Sequence, residues 1–282
     1  MILVTGATGH VGGELVAELA RTGRPVRALA RRAPAAGTLP EGAEAAVGDL
    51  NDPASLRPAL EGVEGVFLLP GYADMPGVLA ELGTAGVKHV VLLSSIAAPD
   101  GDLDNAISRF MIRSEEAVRA ADVPWTILRP SGFMSNTFQW QGQLAAGDEV
   151  RDAFGGVRVA MVDPYDIAAV AARVLLDADH FGAAHALSGP EALLPADRVR
   201  ILGEVLGRPL TFVGLTDEEA RAGMEGSMPQ EYVDAFFRYY AEGTLDDSIV
   251  RPGVREVLGR EPRTFAQWAR AHAQNFQSQS QS

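Results

Sequence analysis

The opening residues, MILVTGATGHVGGELV, place glycines at every third position between an apolar run and an amphipathic stretch. Residues 1–5 are predicted to form a buried strand and residues 11–22 a helix. Gly6 would permit a tight turn, Gly9 would let the backbone approach a pyrophosphate, and Gly12 would let the helix pack closely on the strand. The free N–H groups and the dipole of a helix N-terminus favour an anion there. This spacing, between a first strand and a first helix, predicts a dinucleotide-binding turn.

Apolar strands alternate with helices along the first half of the chain, a pattern typical of a parallel sheet covered on both faces. We therefore predict an α/β fold, a Rossmann-type doubly wound parallel sheet. A helix is expected at 105–121, and another from Pro53, with Asp52 as its cap. Further strands are predicted at 25–30, 43–50, 65–70, 89–95 and 124–130.

The rhythm loosens after residue 130, and we predict a smaller, mainly helical C-terminal lobe on the substrate side, residues 131–274. Residues 1–130 would form the nucleotide-binding domain, and residues 157–190 would return to its sheet through a short strand and a helix from Pro164. The polar end, residues 275–282, is expected to be disordered. Later strands are predicted in AAHALSG and PLTFVG, and later helices at 195–207, 216–224, 229–242 and 263–273.

The end of the second predicted strand, PVRALARRAP, indicates which nucleotide binds. An NAD site usually has Asp or Glu at this place, where the carboxylate accepts hydrogen bonds from the ribose hydroxyls. Here Arg31 and Arg32 follow the strand, and no acidic residue occurs between Glu18 and Glu41. Two guanidinium groups suit the 2′-phosphate of NADP through bidentate bonds. The sequence thus predicts NADP(H) in preference to NAD(H), although two solvated arginines are the alternative.

Other candidate cofactor-binding residues lie on the phosphate turn or at the carboxyl ends of strands, where ligands bind in such sheets. Asp49 and Leu50 fall where the adenine would lie. Because His10 lies on the phosphate turn, we expect it to contact cofactor rather than to act alone in catalysis. The remaining members of the predicted set are Thr8, Val11, Leu69, Pro70, Ser94 and Pro130.

Composition narrows the possible partners and chemistries. The formal net charge is −13, which disfavours nucleic acid and anionic membranes as partners. No apolar run approaches the roughly 18 residues of a membrane helix, and the N-terminus lacks the features of a signal peptide. The absence of cysteine fits a cytoplasmic location and excludes thiolate zinc sites and cysteine nucleophiles. The five histidines form no close ligand pair, so no metal site is expected.

The segment SGFMSNTFQW follows the sixth predicted strand and would lie near the nicotinamide. It supplies the candidate substrate-pocket residues, with Asn136 able to orient a carbonyl or to serve a local turn. A second aromatic segment, YVDAFFRYY at 232–240, would place Tyr232, Phe236 and Tyr239 or Tyr240 on one helical face. That face could pack in the core or form a wall for a planar substrate. DPYD at 163–166 is expected to cap a helix. The other pocket candidates are Phe133, Met134, Phe138 and Trp140.

At these motifs the chain resembles extended or atypical short-chain dehydrogenases/reductases. It is most similar to NmrA-like proteins and the NAD(P)H azoreductase or quinone-oxidoreductase group. TGATGHVG is typical of the broad superfamily, and PWTILRPSGFMSN of the NmrA-like branch. Other matching segments include ALARR, VLLSS, VDPYDIAAVAARVLLD and GREPRTFAQWARAHA, so that the resemblance spans almost the whole chain. It implies a Rossmann domain, NADP(H) binding and a cleft beneath the C-terminal lobe.

One departure from the superfamily concerns catalysis. The resemblance implies a Tyr-x-x-x-Lys pair on the helix before strand six, but Arg109 falls near the tyrosine slot and Arg113 near the lysine slot. An arginine stabilises an anion but does not release a proton near neutrality. The NmrA-like branch commonly lacks this pair. Ser95, Arg113 and backbone amides near Gly132 are therefore the predicted groups for stabilising a developing oxyanion, with the proton coming from water or substrate.

Three functions agree with these features. The first is NADP(H)-dependent hydride transfer to a conjugated carbonyl or quinone-like small molecule, by a monomer or a homodimer. The second is a non-catalytic NADP(H) sensor that binds a partner protein, as some NmrA-like proteins do. The third is an isomerase or cyclase that keeps or recycles the nucleotide. Loss of reduced-nicotinamide absorbance with a quinone would favour the first function. Tight NADP(H) binding without turnover would favour the second, and product formation without net nicotinamide consumption would favour the third.

Overall fold

The computed structural model describes residues 1–32, 38–99 and 101–276. Its strands are β1 Ile2–Val4, β2 Val26–Ala30, β3 Ala43–Val47, β4 Gly65–Leu68, β5 His89–Leu93, β6 Trp125–Pro130, β7 Glu149–Asp152, β8 Ala184–Leu187 and β9 Thr211–Gly214. Its α-helices are α1 His10–Arg21, α2 Met75–Thr84, α3 Ala106–Ala120, α4 Gln141–Ala146, α5 Pro164–Leu175, α6 Pro195–Leu206, α7 Asp217–Met224, α8 Gln230–Tyr240, α9 Gly253–Leu258 and α10 Phe265–Ala271.

Seven strands form one sheet in the order β3-β2-β1-β4-β5-β6-β8, and every neighbouring pair is parallel. The chain order reverses between β1 and β4, so the sheet is doubly wound. The central strands β1, β4 and β5 are buried along their whole length, as expected where helices cover both faces. The predicted Rossmann-type α/β fold is confirmed.

Two hydrophobic clusters cover the two faces of this sheet. On one face α1 packs against α5, with Leu15, Val16 and Val170 almost fully buried. On the other, α2 and α3 cover β4 and β5. Asp163 caps α5 by accepting a hydrogen bond from the Tyr165 N–H at 2.9 Å, and Pro164 occupies the first helical position. The predicted capping role of DPYD is thereby confirmed.

The C-terminal part has its own hydrophobic cluster, formed around the fully buried rings of Trp140, Phe265 and Trp268. Strands β7 and β9 pair in parallel beside it, and α6 packs on both β9 and α10. Helices α7 and α8 pack through a smaller cluster that contains Val233 and Phe237. This mainly helical layer lies beyond the carboxyl end of β6.

Several local predictions need correction. Residues 53–60 form a 3₁₀ helix, with Pro58 inside it, and the Asp52 side chain makes no capping bond. Residues 157–163, predicted as a strand, make only isolated bridges, at Val159 and Val162. Disorder from residue 275 is wrong for its first two residues, because Ala273–Phe276 form a 3₁₀ helix with Phe276 buried. The rest of that segment, 277–282, lies outside the described residues. The sequence patterns missed α2, α4, α9 and β7.

Candidate functional site

The turn after β1 has the close packing that its glycines predict. Gly6 adopts a φ of +62°, which L-residues with a side chain rarely adopt. A Cβ at Gly12 would lie 2.1 Å from the carbonyl oxygen of Gly6, so only glycine fits between α1 and the turn. Helix α1 begins without a side-chain cap, which leaves its first-turn N–H groups available to an external anion. A phosphate group fits this position on both steric and electrostatic grounds.

Beside this turn lies a cavity of about 290 Å³ at the carboxyl ends of β1, β2 and β3. Five residues that the sequence predicted for cofactor binding line it: Gly6, Thr8, Arg31, Asp49 and Leu50. Thus the arginine after the second strand and the acidic residue after the third strand lie around one space beside the glycine turn. Arg32 is exposed and is not among the residues that line this cavity.

Sequence reasoning missed Tyr72 and Asn51, which also line this cavity. Burial raises the pKa of the Tyr72 hydroxyl, the charge of Asp49 raises it further, and the charge of Arg31 partly offsets both. Asn51 is fixed by the Asp49 carboxylate, which accepts hydrogen bonds from its backbone N–H at 2.9 Å and its amide at 3.1 Å. The sequence did hold a signal for Tyr72, because it is an aromatic residue two positions after Pro70, just beyond a predicted strand end.

Two predicted cofactor residues at the strand ends hold neighbouring backbone, Leu69 at the glycine turn and Pro130 at the segment after β5. The backbone N–H of Leu69 donates to the Thr5 hydroxyl at 2.9 Å, and its side chain lies against Gly6. Pro130 ends β6, and its carbonyl accepts a hydrogen bond from the Ile96 N–H at 3.1 Å. Val11 is buried in the core beneath the turn, and Pro70 is half-buried.

The two serines after β5 differ in what they bind. The Ser94 hydroxyl donates to the buried Glu115 carboxylate at 2.7 Å, so it points into an ion-pair network. The Ser95 hydroxyl accepts a hydrogen bond from the Ala97 N–H at 3.2 Å within its own turn. Arg113 is exposed and lines a separate cavity of about 640 Å³ with Tyr232. Ser95 is not among the residues that line this cavity, and a joint role of Ser95 and Arg113 at one oxyanion stays a prediction.

A cavity of about 500 Å³ lies between the segment that follows β6 and helices α6, α7 and α8. Three aromatic residues, Phe154, Phe236 and Tyr240, and three methionines form much of its wall. Phe154 has a φ of +53°, uncommon for a bulky residue and typical of functional sites. The polar residues of the wall are Asn136, Gln139, Asp152, Arg198 and Tyr240.

Only one of the five predicted pocket residues, Asn136, lines this cavity. Met134 and Trp140 are 1% and 0% exposed in the C-terminal cluster, which corrects their assignment to the pocket wall. Phe133 packs partly buried against the sheet core. Phe138 turns the other way and stacks among Trp268, Phe276 and His10. All five lie on or just before one short 3₁₀ helix, Met134–Trp140, whose residues point in different directions.

That 3₁₀ helix lies between the glycine turn after β1 and the 500 Å³ cavity. Its Phe138 ring lies 5.3 Å from the ring of His10 on the phosphate turn, measured between centroids. Its Asn136 and Gln139 line the 500 Å³ cavity. The predicted contact of His10 with the cofactor stays a prediction, but its ring does connect the phosphate turn with the helix that borders the cavity.

The aromatic residues of α8 divide between the two alternatives that the sequence left open, core packing and a cavity wall. Phe236 and Tyr240 line the 500 Å³ cavity, whereas Tyr232 lines the 640 Å³ cavity. Tyr239 is 5% exposed, and its hydroxyl lies 2.7 Å from that of Ser108 on α3. One residue of the YY pair therefore belongs to the core and the next to the cavity wall.

Comparisons with known proteins give the family. A family model described as NAD(P)H-binding matches residues 6–178, more than half of the chain. The chain belongs to this family. The resemblance to reductases is also confirmed. The chain is 41% identical over 280 residues to a (4-alkanoyl-5-oxo-2,5-dihydrofuran-3-yl)methyl phosphate reductase of Streptomyces griseus, and the alignment covers 98% of this chain and 99% of the relative. It is 37% identical over 285 residues to an NAD(P)H azoreductase of Xenophilus azovorans, with the same coverage.

A solved structure has the same fold. The quinone oxidoreductase QOR2 of Escherichia coli, in complex with NADPH, aligns with a TM-score of 0.78 over 97% of this chain and 99% of that one, at 24% identity. The chain is thus a member of an NAD(P)H-binding oxidoreductase family with azoreductase and quinone-reductase relatives. Within the described ranges, no helix has the length and apolar character to cross a membrane, and no three His, Asp or Glu side chains are grouped as metal ligands.

Proposed function

We propose that this protein is an NADP(H)-dependent oxidoreductase that transfers a hydride to a conjugated carbonyl or quinone-like small molecule in the 500 Å³ cavity. The observation that carries the proposal is the 3₁₀ helix Met134–Trp140, which contacts the phosphate turn through Phe138 and borders the cavity through Asn136. A volume of 500 Å³ lies within the usual range for small-molecule sites. Nucleotide and acceptor would meet at the carboxyl end of β6.

NADP(H) is the proposed cofactor because of the groups at the 290 Å³ cavity. When bound, it would supply the hydride. Arg31 would hold the ribose phosphate, and the uncapped start of α1 would hold the pyrophosphate. Arg32 follows directly and adds positive charge. The steric demand at Gly12 supports the same placement, because it lets the start of α1 pack directly against the turn.

The cavity wall favours a flat acceptor that carries or develops negative charge. Phe154, Phe236 and Tyr240 offer ring faces to a planar group. Arg198 is 7% exposed, its side chain forms no hydrogen bond or ion pair with the described residues, and its Nε is unpartnered. Its side chain contacts the Trp140 ring, 5.1 Å from the centroid. Burial lowers the pKa of the guanidinium, with the charge of Asp152 acting against this. An unpaired buried cation is costly, and an anionic group of the acceptor would relieve that cost.

The Streptomyces griseus relative supports this acceptor class. Its name describes a dihydrofuran ring with an oxo and an alkanoyl group, which is a conjugated carbonyl system, and a phosphate ester. For this chain we infer that Arg198 binds a phosphate or another anionic substituent of the acceptor. The backbone around Gly132 also borders the cavity, and the role of Ser95 stays a prediction.

The test uses the purified full chain with NADPH or NADH and a panel of acceptors: neutral quinones, unsaturated lactones with and without a phosphate ester, and azo compounds. We expect reduced-nicotinamide absorbance to fall with at least one conjugated carbonyl acceptor, faster with NADPH than with NADH. Tight NADPH binding without turnover on any acceptor would instead favour a sensor. Product formation without net nicotinamide consumption would favour an isomerase or cyclase.

A further inference from the structure

The proposed reduction needs a proton as well as a hydride, and the superfamily's tyrosine position holds Arg109 in this chain. That arginine is 2.8 Å from Glu231 in an ion pair and lines the 640 Å³ cavity, away from the proposed acceptor site. A side-chain proton donor, in place of the water or substrate expected from the sequence, would therefore come from another element. Of the residues that line the 500 Å³ cavity, Tyr240 has a hydroxyl that is hydrogen-bonded to a buried carboxyl group.

We propose that Tyr240 and Asp247 form a proton relay that delivers the proton of the reduction to the acceptor. The Tyr240 hydroxyl lies 3.2 Å from Oδ2 of Asp247. Asp247 is 3% exposed, and its backbone is fixed because its carbonyl accepts a hydrogen bond from the Ala160 N–H at 2.8 Å. The tyrosine lies on the cavity wall and the aspartate directly behind it. The relay rests on the proposed function.

The buried surroundings of Asp247 favour its protonated form more than an aqueous environment would. Its Oδ1 atom is buried without a hydrogen-bond partner, which is costly for an ionised carboxylate. Burial raises its pKa to about 6, although the Tyr240 hydroxyl, the Gly132 amide and the charge of Arg251 act in the opposite direction. The charge of Asp246 adds to the rise. Asp247 can therefore hold and release a proton close to neutral pH.

Tyr240 is suited to pass a proton on but not to remain ionised. Burial raises the pKa of its hydroxyl, the neighbouring carboxylate raises it further, and the charge of Arg198 lowers it only in part. A free tyrosinate is thus unfavourable here, and the hydroxyl regains a proton as it loses one. Tyr239 also contributes to the rise, but its own hydroxyl is bound to Ser108.

The step balances as follows. NADPH, when bound, would supply the hydride and be oxidised to NADP+. The acceptor carbon that takes the hydride would be reduced, and the displaced electron pair of its double bond would become an oxyanion or enolate. The O–H bond of Tyr240 then breaks while a new O–H or C–H bond forms on that anion. At the same time the O–H bond of Asp247 breaks and restores the phenol. Asp247 is left as a carboxylate and takes its next proton from solvent between turnovers.

The experiment compares Tyr240→Phe and Asp247→Asn with a matched control, Tyr239→Phe, which removes the neighbouring hydroxyl outside the cavity. In the wild type and the control, we expect kcat to fall as the pH rises above about 6, because the protonated form of Asp247 is the donor. Tyr240→Phe and Asp247→Asn should lose about 100-fold or more in kcat together with that pH dependence. Their NADPH affinity should be unchanged.

A second readout does not depend on turnover. Carbon-13 NMR of aspartate carboxyl groups in the free protein would follow the titration of Asp247. Because the Tyr240 hydrogen bond lowers the pKa of Asp247, Tyr240→Phe should raise it further, and Tyr239→Phe should leave it unchanged. An ordinary carboxyl pKa that Tyr240→Phe does not move would overturn the relay.

The kinetic outcomes separate the two proposals. If the wild type reduces an acceptor and Tyr240→Phe matches Tyr239→Phe in kcat and pH profile, the relay is overturned and the proposed function stands. If neither the wild type nor Tyr239→Phe consumes NADPH with any acceptor, the proposed function fails, and with it the relay as a catalytic device. Thermal unfolding of each variant identifies loss of folding as the cause of any inactivity.

Discussion

Glu115 on α3 and Arg129 in β6 are joined by two parallel hydrogen bonds, 2.8 Å from Nε to Oε1 and 2.5 Å from Nη2 to Oε2. The glutamate side chain is 6% exposed and also accepts the Ser94 hydroxyl at 2.7 Å. This ion pair connects β5, β6 and α3 next to the carboxyl ends of the strands. It therefore fixes the elements from which the proposed acceptor site extends.

Glu115→Gln should destabilise the fold by about 3 kcal/mol, because it leaves the partly buried Arg129 without its counter-charge. Glu116→Gln is the matched control, since Glu116 is exposed on the same helix. Urea denaturation of both variants near neutral pH measures the difference. Equal free energies of unfolding for the two variants would contradict a structural role for the pair.

The same pair predicts an acid-sensitive contribution to stability. Burial alone would raise the pKa of Glu115, but the hydrogen bonds from Arg129 and Ser94 and the charge of Arg129 outweigh it and lower the pKa. The contribution is thus complete above the ordinary value of 4.5 and is lost as the pH falls through the lowered folded value. The stability gap between wild type and Glu115→Gln should shrink below pH 4.5. A gap that stays constant there would show that Glu115 does not titrate with the fold.

Gly12→Ala should impair both folding and NADPH binding, whereas Gly13→Ala should be tolerated. A Cβ at Gly12 would lie 2.1 Å from the Gly6 carbonyl oxygen, but one at Gly13 would lie 3.6 Å from the Ala7 oxygen, an ordinary contact. We expect Gly12→Ala to cost about 1–3 kcal/mol in stability. Gly13→Ala should gain up to about 1 kcal/mol from helix propensity. Thermal unfolding and NADPH titration calorimetry check both, and equal behaviour would refute the close packing.

Arg31→Asp should weaken NADPH binding about 10–100-fold, because a charge-assisted bond to the 2′-phosphate is replaced by repulsion. NADH affinity should not fall, since NADH lacks that phosphate and a carboxylate here can accept hydrogen bonds from its ribose hydroxyls. Arg24→Asp makes the same charge change at an exposed position before β2 and is the control. Calorimetric titration with each nucleotide gives the affinities. If NADPH binds Arg31→Asp and Arg24→Asp equally well, the assignment of the phosphate position is wrong.

Arg198→Gln should raise KM about 10–100-fold for acceptors that carry a phosphate or carboxylate. KM for a neutral quinone should change much less, because that acceptor has no anionic substituent for Arg198 to bind. Arg200→Gln is the control, since Arg200 lies on the exposed side of the same helix and pairs with Glu204. Steady-state kinetics with paired phosphorylated and unphosphorylated acceptors make the comparison. An equal rise for both would argue against an anion-binding role.

Much of the fold could be predicted because its signals are local. Sterics alone require glycine at Gly12. Apolar runs, with 3.6-residue helical patterns between them, predicted the bounds of five elements to within about two residues: β1, α1, β5, α3 and β6. Residues Pro53–Leu60 were predicted as an ordinary helix but form a 3₁₀ helix. Pro58 removes a backbone donor that an α-helix would use. Strand β7 was missed because its partner β9 lies far along the chain.

The 500 Å³ cavity, proposed here as the acceptor site, could not be predicted in the same way. Sequence neighbours diverge there: Asn136 lines the cavity while Trp140 is buried, and Tyr240 lines it while Tyr239 binds Ser108. The cavity residue Arg198 carried no sequence signal of its own. A hydrophobic pattern records that a side chain is apolar, but it does not record which of two packed layers that side chain faces.

The sequence by itself determined the glycine turn and the parallel character of the sheet, because short-range sterics and periodicity dictate both. Only the tertiary structure decided which side chains share the proposed acceptor cavity. Arg198 on α6, Tyr240 on α8 and Asp247 after it meet because separate helices pack against the segment that follows β6. Burial and charge at such a meeting point depend on contacts between distant residues, and these contacts exist only once the chain has folded.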